Sequence, residues 1–506
     1  MFRFMGHTFW MVDLVRIFRF WGLLSLGLMA AACTTNVSTG KRQLVLMNLE
    51  EEAEIGRAAH PRILAAYGGA YDEGGVADYV GAIVARLGAA TVNPGQSPTV
   101  YRSTVLDSPI VNAFALPGGY VYVTRGLVAL ARDEAELAGV IAHEIGHVNA
   151  RHVAERQAAA TGSSLIGGLL GAVVGGGLVD KIVAFGSESL LAGYSRDQEA
   201  EADRLAVTYL TLAGYDPFAV RDFLQSMNAY AAFQAQLIGE DYDGSQSGWL
   251  STHPATADRV RDTARDAAET VARLGGASGG HGRDTYLVAV DGLLYGDSPD
   301  DGYVRGRRFV HTVDQYQFQV AEGFQLTNTQ AAVWALGPNK SILRFDEGVK
   351  QAEVDIAHYL REIWAAQMEV RDVRRFQLNG MQAASGRTRL RGLNTLIVAI
   401  EFSPTQVYRF LIGTAPQTGT SYEALTHGMI ESFRRLSPAE IASTGPLRLA
   451  VIRPREGTPV EDAAALMATD GFPMERFRLL NSHVKTETLD GGPVKIIVED
   501  VPAGSG

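Results

Sequence analysis

The sequence predicts an α+β protein in three successive parts. A mainly helical N-terminal domain holds a small sheet, a second α+β domain follows, and a small strand–helix–helix–strand module closes the chain. Three observations predict this. Helical apolar spacing dominates residues 48–274, broken by one strand-rich stretch over 100–124. A glycine- and serine-rich break at 275–280 is followed by a change of pattern, with strand-like runs outnumbering helical ones. The last segment, 447–498, reads as strand, two short helices and strand. The expected division is therefore 33–274, a linker over 275–304, a domain over 305–440, and a module over 446–500.

Composition narrows the function before any motif is read. Of 506 residues, 46% are hydrophobic and 20% charged, which suits a globular chain with a sizeable core. The net charge of -11, with no basic run, argues against nucleic acid as a partner. The single cysteine, Cys33, excludes an internal disulfide framework and a cysteine-built metal site. Ahead of it, Arg16 and Arg19 precede a 13-residue, mainly apolar run over 20–32. A spanning helix needs about 20 apolar residues, so the run fits an export signal over 1–32 better. Ala30, Ala31 and Ala32 before Cys33, with Thr34, Thr35 and Asn36 after it, resemble a bacterial lipobox, Ala30 standing where leucine is usual. That resemblance implies a lipid on Cys33 and, with Thr34 next, an outer-membrane destination.

The elements follow in order. Residues 48–89 read as helices, with Glu50, Glu51 and Glu52 near the first start. The runs 100–105 and 113–124 carry strand-forming residues, and Pro117-Gly118-Gly119 suits a type II turn, so 111–116 and 120–124 form a hairpin. Asp133, with Glu136 three residues on, is a capping-box start, and Leu137, Val140, Ile141 and Val148 give the helix after it an apolar face. The glycine-rich stretch 165–179 reads as a buried or mobile segment. A further helix runs over 196–213 and stops at Gly214 before Asp216-Pro217, and helical pattern returns to about 236 and over 253–274. In the second domain, 309–318, 324–336, 390–400 and 406–412 read as strands, and 346–369 and 422–433 as helices.

The chemistry is concentrated in Gly139-Val-Ile-Ala-His-Glu-Ile-Gly-His-Val-Asn-Ala-Arg151. Residues four apart lie on one face of a helix, about 6 Å apart at the side-chain base, so His143 and His147 can point both imidazoles at one ion. Glu144 sits about 100° round the helix, where it can reach a water on that ion without binding the ion itself. A third ligand is needed. Ala150 and Val153 stand where a metzincin would have glycine and histidine, and His152, about 140° from His147 on a continuous helix, would face away. The better candidates lie downstream in Tyr194-Ser-Arg-Asp-Gln-Glu-Ala-Glu-Ala-Asp203. There Glu199 and Asp203 share a face while Glu201 lies about 160° from either. One acid can bind the metal and the other can accept the free imidazole N–H of a ligand histidine. Helix geometry does not say which does which.

Together, His-Glu-Ile-Gly-His with Gly139 and Ala142 before it, Ser195–Arg204 and the upstream Asn-Ala-Phe-Ala-Leu-Pro-Gly-Gly resemble the zinc peptidases of metallopeptidase family M48 over about residues 48–270. The resemblance implies a gluzincin-type zincin domain with one Zn2+ per chain. In that family the glutamate four residues before the aspartate is the third ligand, which falls on Glu199 and leaves Asp203 as a partner of a ligand histidine. Glu144 becomes the proton shuttle. The strand Asn112, Ala113, Phe114, Ala115, Leu116 becomes a border of the cleft, able to take extended substrate by strand addition. His253, in Ser-Thr-His-Pro-Ala-Thr-Ala-Asp-Arg259, resembles a loop that in some members occupies the metal's open position. It is expected to face the site as a plug or as a transition-state donor.

The second domain resembles the PsbP-like fold. The closing segment, with Arg453-Pro454-Arg455-Glu456-Gly457-Thr458 after its first strand and a second helix ending in Leu-Leu-Asn481, resembles a LysM module, which implies peptidoglycan as a partner. The functional expectation is a zinc endopeptidase of the bacterial envelope. It would be anchored by lipid in the periplasm and cleave misfolded or stalled envelope proteins. The alternatives are an outer-membrane assembly factor or chaperone with latent proteolysis and, behind it, a peptidoglycan hydrolase.

Overall fold

The computed structural model describes residues 33–91, 99–167, 193–238, 249–273, 279–415 and 421–501. The export signal expected over 1–32, most of the glycine-rich stretch 165–179 and part of the break at 275–280 lie outside them. Among the described residues no helix is long and apolar enough to cross a membrane.

The described residues open on a hairpin, β1 (Cys33–Thr35) with β2 (Arg42–Leu44), then helices α1 (Leu49–Ala66) and α2 (Val76–Ala90). A three-stranded sheet follows from β3 (Arg102–Leu106), β4 (Ala113–Leu116) and β5 (Tyr120–Thr124) in the order β3-β5-β4. The β4–β5 turn pairs Leu116 with Tyr120 and places Gly118 and Gly119 at φ 85° and 84°, a conformation that glycine adopts without a Cβ clash. β4 is an edge strand of this sheet and packs on the motif helix.

Helix α3 (Arg125–Leu130) leads into α4 (Glu134–Asn149), the motif helix. Asp133 accepts from the Glu136 N–H at 2.9 Å, while the Glu136 side chain accepts from the Arg132 N–H rather than completing the box. α5 (His152–Gly167), α6 (Arg196–Leu212), α7 (Ala219–Ile238), the short α8 (Trp249–Thr252), α9 (Ala257–Arg273) and α10 (Arg283–Val290) follow among the described residues. A Cβ on Gly146 would meet the Ala202 carbonyl oxygen at 3.1 Å. Gly146 lies between His143 and His147, and Ala202 between Glu199 and Asp203. The missing side chain is what lets α4 and α6 approach closely enough for the two pairs to meet.

Residues 283–295, which the sequence places in a linker, are instead built into this domain. Tyr286, Leu287 and Val290 of α10 are buried in its core, and β6 (Leu294–Tyr295) pairs with a strand from the C-terminal segment. These apolar side chains have nowhere to go in a solvated linker.

The second domain folds around its own core. β7 (Tyr303–Arg305), β8 (Arg308–His311) and β9 (Tyr316–Gln319) form one small sheet. β10 (Gln325–Thr329), β11 (Ala332–Gly337), β12 (Ser341–Val349), β13 (Arg371–Leu378), β14 (Met381–Leu390), β15 (Leu393–Glu401) and β16 (Gln406–Thr414) form a seven-stranded antiparallel sheet, order β10-β11-β12-β16-β15-β14-β13. Helix α11 (Ser421–Glu431) covers part of one face. The helix expected over 346–369 is confined to 356–364, because Leu343 and Phe345 alternate into the core and carry the strand on to Val349. β13 and β14 do not stand out in the sequence. β13 is an edge strand rich in arginine, which discourages edge-to-edge pairing but hides the apolar alternation.

The last segment is β18 (Leu447–Ile452), α12 (Val460–Ala465), α13 (Pro473–Leu480) and β19 (Val494–Glu499), preceded by the two-residue β17 (Arg434–Arg435) of the small sheet. β18 and β19 pair antiparallel, and Leu449, Val460, Phe477 and Ile497 join the same core as α4. Lys495 ties the two together. Its Nζ is buried and donates to the carbonyls of Ala129 and Ala131 at the end of α3, at 2.6 Å each. Burial pushes the ammonium down to about 7, with Glu136 and Asp133 opposing and Arg283 and Arg132 assisting. An unfolded lysine keeps its proton to about 10.4, so across that window the unfolded chain binds more protons and the fold gains stability as pH rises. Urea unfolding of the wild type is expected to show this rise between pH 7 and 10. Lys495→Met is expected to lack it and to lose about 1–3 kcal/mol from the two carbonyls left unpaired. Parallel pH profiles for the two proteins would contradict the assignment.

Candidate metal centre

Helices α4 and α6 cross with His143 and His147 facing Glu199 and Asp203, and the segment from Trp249 to Arg259 lies over them. All five residues His143, Glu144, His147, Glu199 and His253 are at most 2% exposed, and Asp203 is 4% exposed.

His143 Nε2 and His147 Nε2 lie 3.0 Å apart. Glu199 places Oε2 3.5 Å from the first and Oε1 3.5 Å from the second. A tetrahedral ion with bonds of about 2.0–2.1 Å holds its ligand atoms about 3.4 Å apart, so this donor set fits one zinc-sized ion. His253 adds a fourth atom. Its Nδ1 is 3.3 Å from His143 Nε2 and 2.9 Å from Glu199 Oε1, and the four side chains offer ligand atoms within 4.8 Å of one another. His253 thus stands where a catalytic site would keep its open position.

Glu144 is outside this group of four. Its Oε1 accepts from the indole N–H of Trp249 at 2.9 Å and lies 3.7 Å from His253 Nε2. The Trp249 ring also stacks on His253, centroids 4.7 Å apart. One tryptophan therefore contacts both Glu144 and His253. The Asn112 side-chain amide donates to Tyr67 Oη at 3.4 Å, not to this group, while the backbone N–H of Trp249 donates to the carbonyl of the adjacent Val111 at 3.4 Å. The side chain of Cys33 lies outside the description, but the strand it begins pairs with 42–44.

Asp203 faces His143, its Oδ1 2.9 Å from Nδ1. It is itself gripped by Arg259, which donates to both carboxylate oxygens at 2.8 and 2.9 Å and reaches Glu199 Oε2 at 2.7 Å. Burial would raise both carboxylates. Instead His253 and Arg259 hold Glu199 far below the usual carboxylate range, and Arg259 and His143 carry Asp203 down to about 2. Burial also works against His143, but Asp203 and Glu199 outweigh it and raise the imidazole to about 9 in the metal-free protein. Burial holds His147 well below its ordinary value. Both acids are ionised at neutral pH, as ligands and acceptors must be.

Four contributors escape sequence reasoning: Trp249, Arg259, Tyr194 and His152. Tyr194 stacks flat on His147, centroids 3.8 Å apart. Tyr194 and Arg259 are the outermost residues of two stretches already quoted, but nothing in either stretch shows what their side chains meet. The expectation that His152 faces away is overturned. α4 ends at Asn149, Arg151 adopts φ 58°, and the new direction brings His152 Nδ1 to 2.7 Å from His147 Nδ1.

A buried His-Glu-x-x-His helix crossed by a helix that supplies a carboxylate is the arrangement of a metallopeptidase. Residues 77–266 match the profile of peptidase family M48, and the chain carries a peptidase domain of that family. It is 30% identical over 229 residues to the mitochondrial metalloendopeptidase OMA1 of Schizosaccharomyces pombe, covering 44% of this chain and 63% of that protein. It is 37% identical over 164 residues to the putative beta-barrel assembly-enhancing protease of Vibrio cholerae, covering 30% of this chain and 32% of that one. The chain thus spans less than two thirds of either relative. Among solved structures, PsbP (CyanoP) from Synechocystis sp. PCC 6803 aligns over 28% of this chain and 98% of its own, with 14% identity and a TM-score of 0.22, a likeness too slight to carry a fold assignment.

Proposed function

We propose that this protein is a zinc-dependent endopeptidase of the bacterial cell envelope whose site is held closed by His253. The observation that carries the reading is the convergence of His143, His147, Glu199 and His253 on one point with Glu144 beside it. His143, His147 and Glu199 would hold the metal. Zinc, when bound, lowers the pKa of water and polarises a carbonyl. Glu144 takes the proton from the attacking water and passes it to the leaving amine, with Trp249 fixing the carboxylate's direction. Asp203 orients His143, and Arg259 keeps both acids charged. β4, an edge strand, offers residues 112–116 for an extended peptide to pair with.

His253 must leave for substrate to arrive, so His253→Ala is expected to raise cleavage of an unfolded reporter protein above the wild type. A fall to the level of Glu144→Gln would instead make His253 a transition-state donor. The same closure favours a second reading, in which the protein binds outer-membrane proteins during assembly and cuts only when His253 is displaced. Rescue of a deletion strain by Glu144→Gln would support that reading over quality-control proteolysis. A peptidoglycan hydrolase is the weakest reading, and intact sacculi after incubation with the protein would dismiss it.

Misfolded or stalled envelope proteins are the proposed substrates. Names of relatives that refer to β-barrel assembly support this. The proposal places the chain in the periplasm, tethered by a lipid on Cys33, on the outer membrane. It treats the second domain as PsbP-like and the β18–β19 segment as LysM-like, able to contact peptidoglycan.

A further inference from the structure

We propose that His152 and Glu201 are positioning residues for the metal centre. Together they form a relay that sets the tautomer and orientation of His147 and, through it, metal affinity. This rests on the reading of His143, His147 and Glu199 as metal ligands.

The relay begins with a turn. After α4 ends, Arg151 adopts the left-handed conformation at φ 58°, which costs a non-glycine residue roughly 1–2 kcal/mol. The cost is met by its side chain. Arg151 Nε donates to the Glu52 carboxylate at 2.8 Å, and its Nη2 donates to the Met47 carbonyl at 2.7 Å. Glycine would adopt the turn more cheaply but could not make these bonds. The turn starts α5 in a new direction, and His152, fully buried, comes to lie against His147.

The hydrogen-bond directions then follow. His147 presents Nε2 to His143 and Glu199, so its proton sits on Nδ1. At 2.7 Å that N–H can only donate to His152 Nδ1, which must be the acceptor. His152 therefore carries its own proton on Nε2 and donates it to Glu201 Oε2 at 3.3 Å. Glu201 is held on its other oxygen by Lys41 at 3.1 Å. Lys41 belongs to the N-terminal β1–β2 hairpin, which is also tied to the end of α4 by the Asn36 side-chain amide donating to the Asn149 carbonyl at 2.9 Å.

The two imidazoles of the motif are thus oriented by different devices. His143 faces the carboxylate of Asp203 directly, while His147 reaches a carboxylate through a second imidazole. This gives Glu201, the acid that helix geometry turns away from the metal, a role in the site. It also makes the segment after Cys33 part of the metal centre's support.

The test uses the full chain, stripped of metal. Zinc affinity is measured by chelator competition, and the visible spectrum is recorded with cobalt in place of zinc. His152→Phe fills the space without an acceptor, His152→Asn restores an acceptor at the Nδ1 position, and Glu201→Ala removes the far end. His152→Phe is expected to bind zinc about 10- to 100-fold more weakly, with a changed cobalt spectrum. Asn is expected to recover most of the loss, and Glu201→Ala to shift affinity the same way. Metal-free melting separates these effects from folding, and if His152→Phe does not fold, Glu201→Ala decides. Folded variants with wild-type affinity and spectrum overturn the relay alone. A wild type that binds neither metal overturns the proposed metal centre, and the relay with it.

Discussion

Glu144→Gln is expected to lower kcat/KM for peptide cleavage by about 10²- to 10⁴-fold, the usual worth of a positioned general base. Zinc affinity is expected to stay at the wild-type value. The substitution keeps the shape of the side chain and leaves an oxygen to accept from Trp249, so the hydrogen bond that now spans 2.9 Å can persist. What is lost is the capacity to take a proton. Glu144 is not one of the four side chains whose ligand atoms converge, so removing its charge leaves the donor set intact. Cleavage of an unfolded reporter by the zinc-loaded variant at the wild-type rate would refute the proposed mechanism, as would loss of the metal.

Arg259→Leu is expected to have the largest effect on stability. Arg259 is 8% exposed and serves two buried carboxylates at once. Removing it takes away the guanidinium that both carboxylates share and leaves His143 to face the two charges. Breaking a buried pair in this way costs about 3–5 kcal/mol, because the remaining charges stay desolvated. The loss should be greatest in the metal-free protein. Zinc restores part of the missing positive charge, so saturating metal is expected to recover a larger fraction of stability in Arg259→Leu than in the wild type. Urea unfolding with zinc and with a chelator checks both halves, and equal loss with and without metal would contradict this account of Arg259.

These two expectations draw on different kinds of information. The role of Glu144 follows from its place in His143-Glu144-x-x-His147 on a capped helix, which is a local property. Arg259 is sixty residues beyond Glu199 in sequence, and its position in Ser251–Arg259 carries no sign of the carboxylates it meets.

The sequence by itself determined the features that repeat within one helix or one turn. The four-residue spacing put both imidazoles of α4 on one side and both acids of α6 on one side. Asp133 set where α4 begins, and Pro117-Gly118-Gly119 set the β4–β5 hairpin. Only the tertiary structure decided which faces meet. It brought Trp249 and Arg259 onto the site and drew α10 and the β18–β19 segment into the core of the first domain. It also reversed the reading of His152. That reading assumed a continuous helix, on which five residues point away, and one residue in the left-handed conformation redirects everything after it. Periodicity describes a side chain relative to its own axis. Where that axis goes next depends on a bond such as Arg151 to Glu52, made with a residue about a hundred positions away.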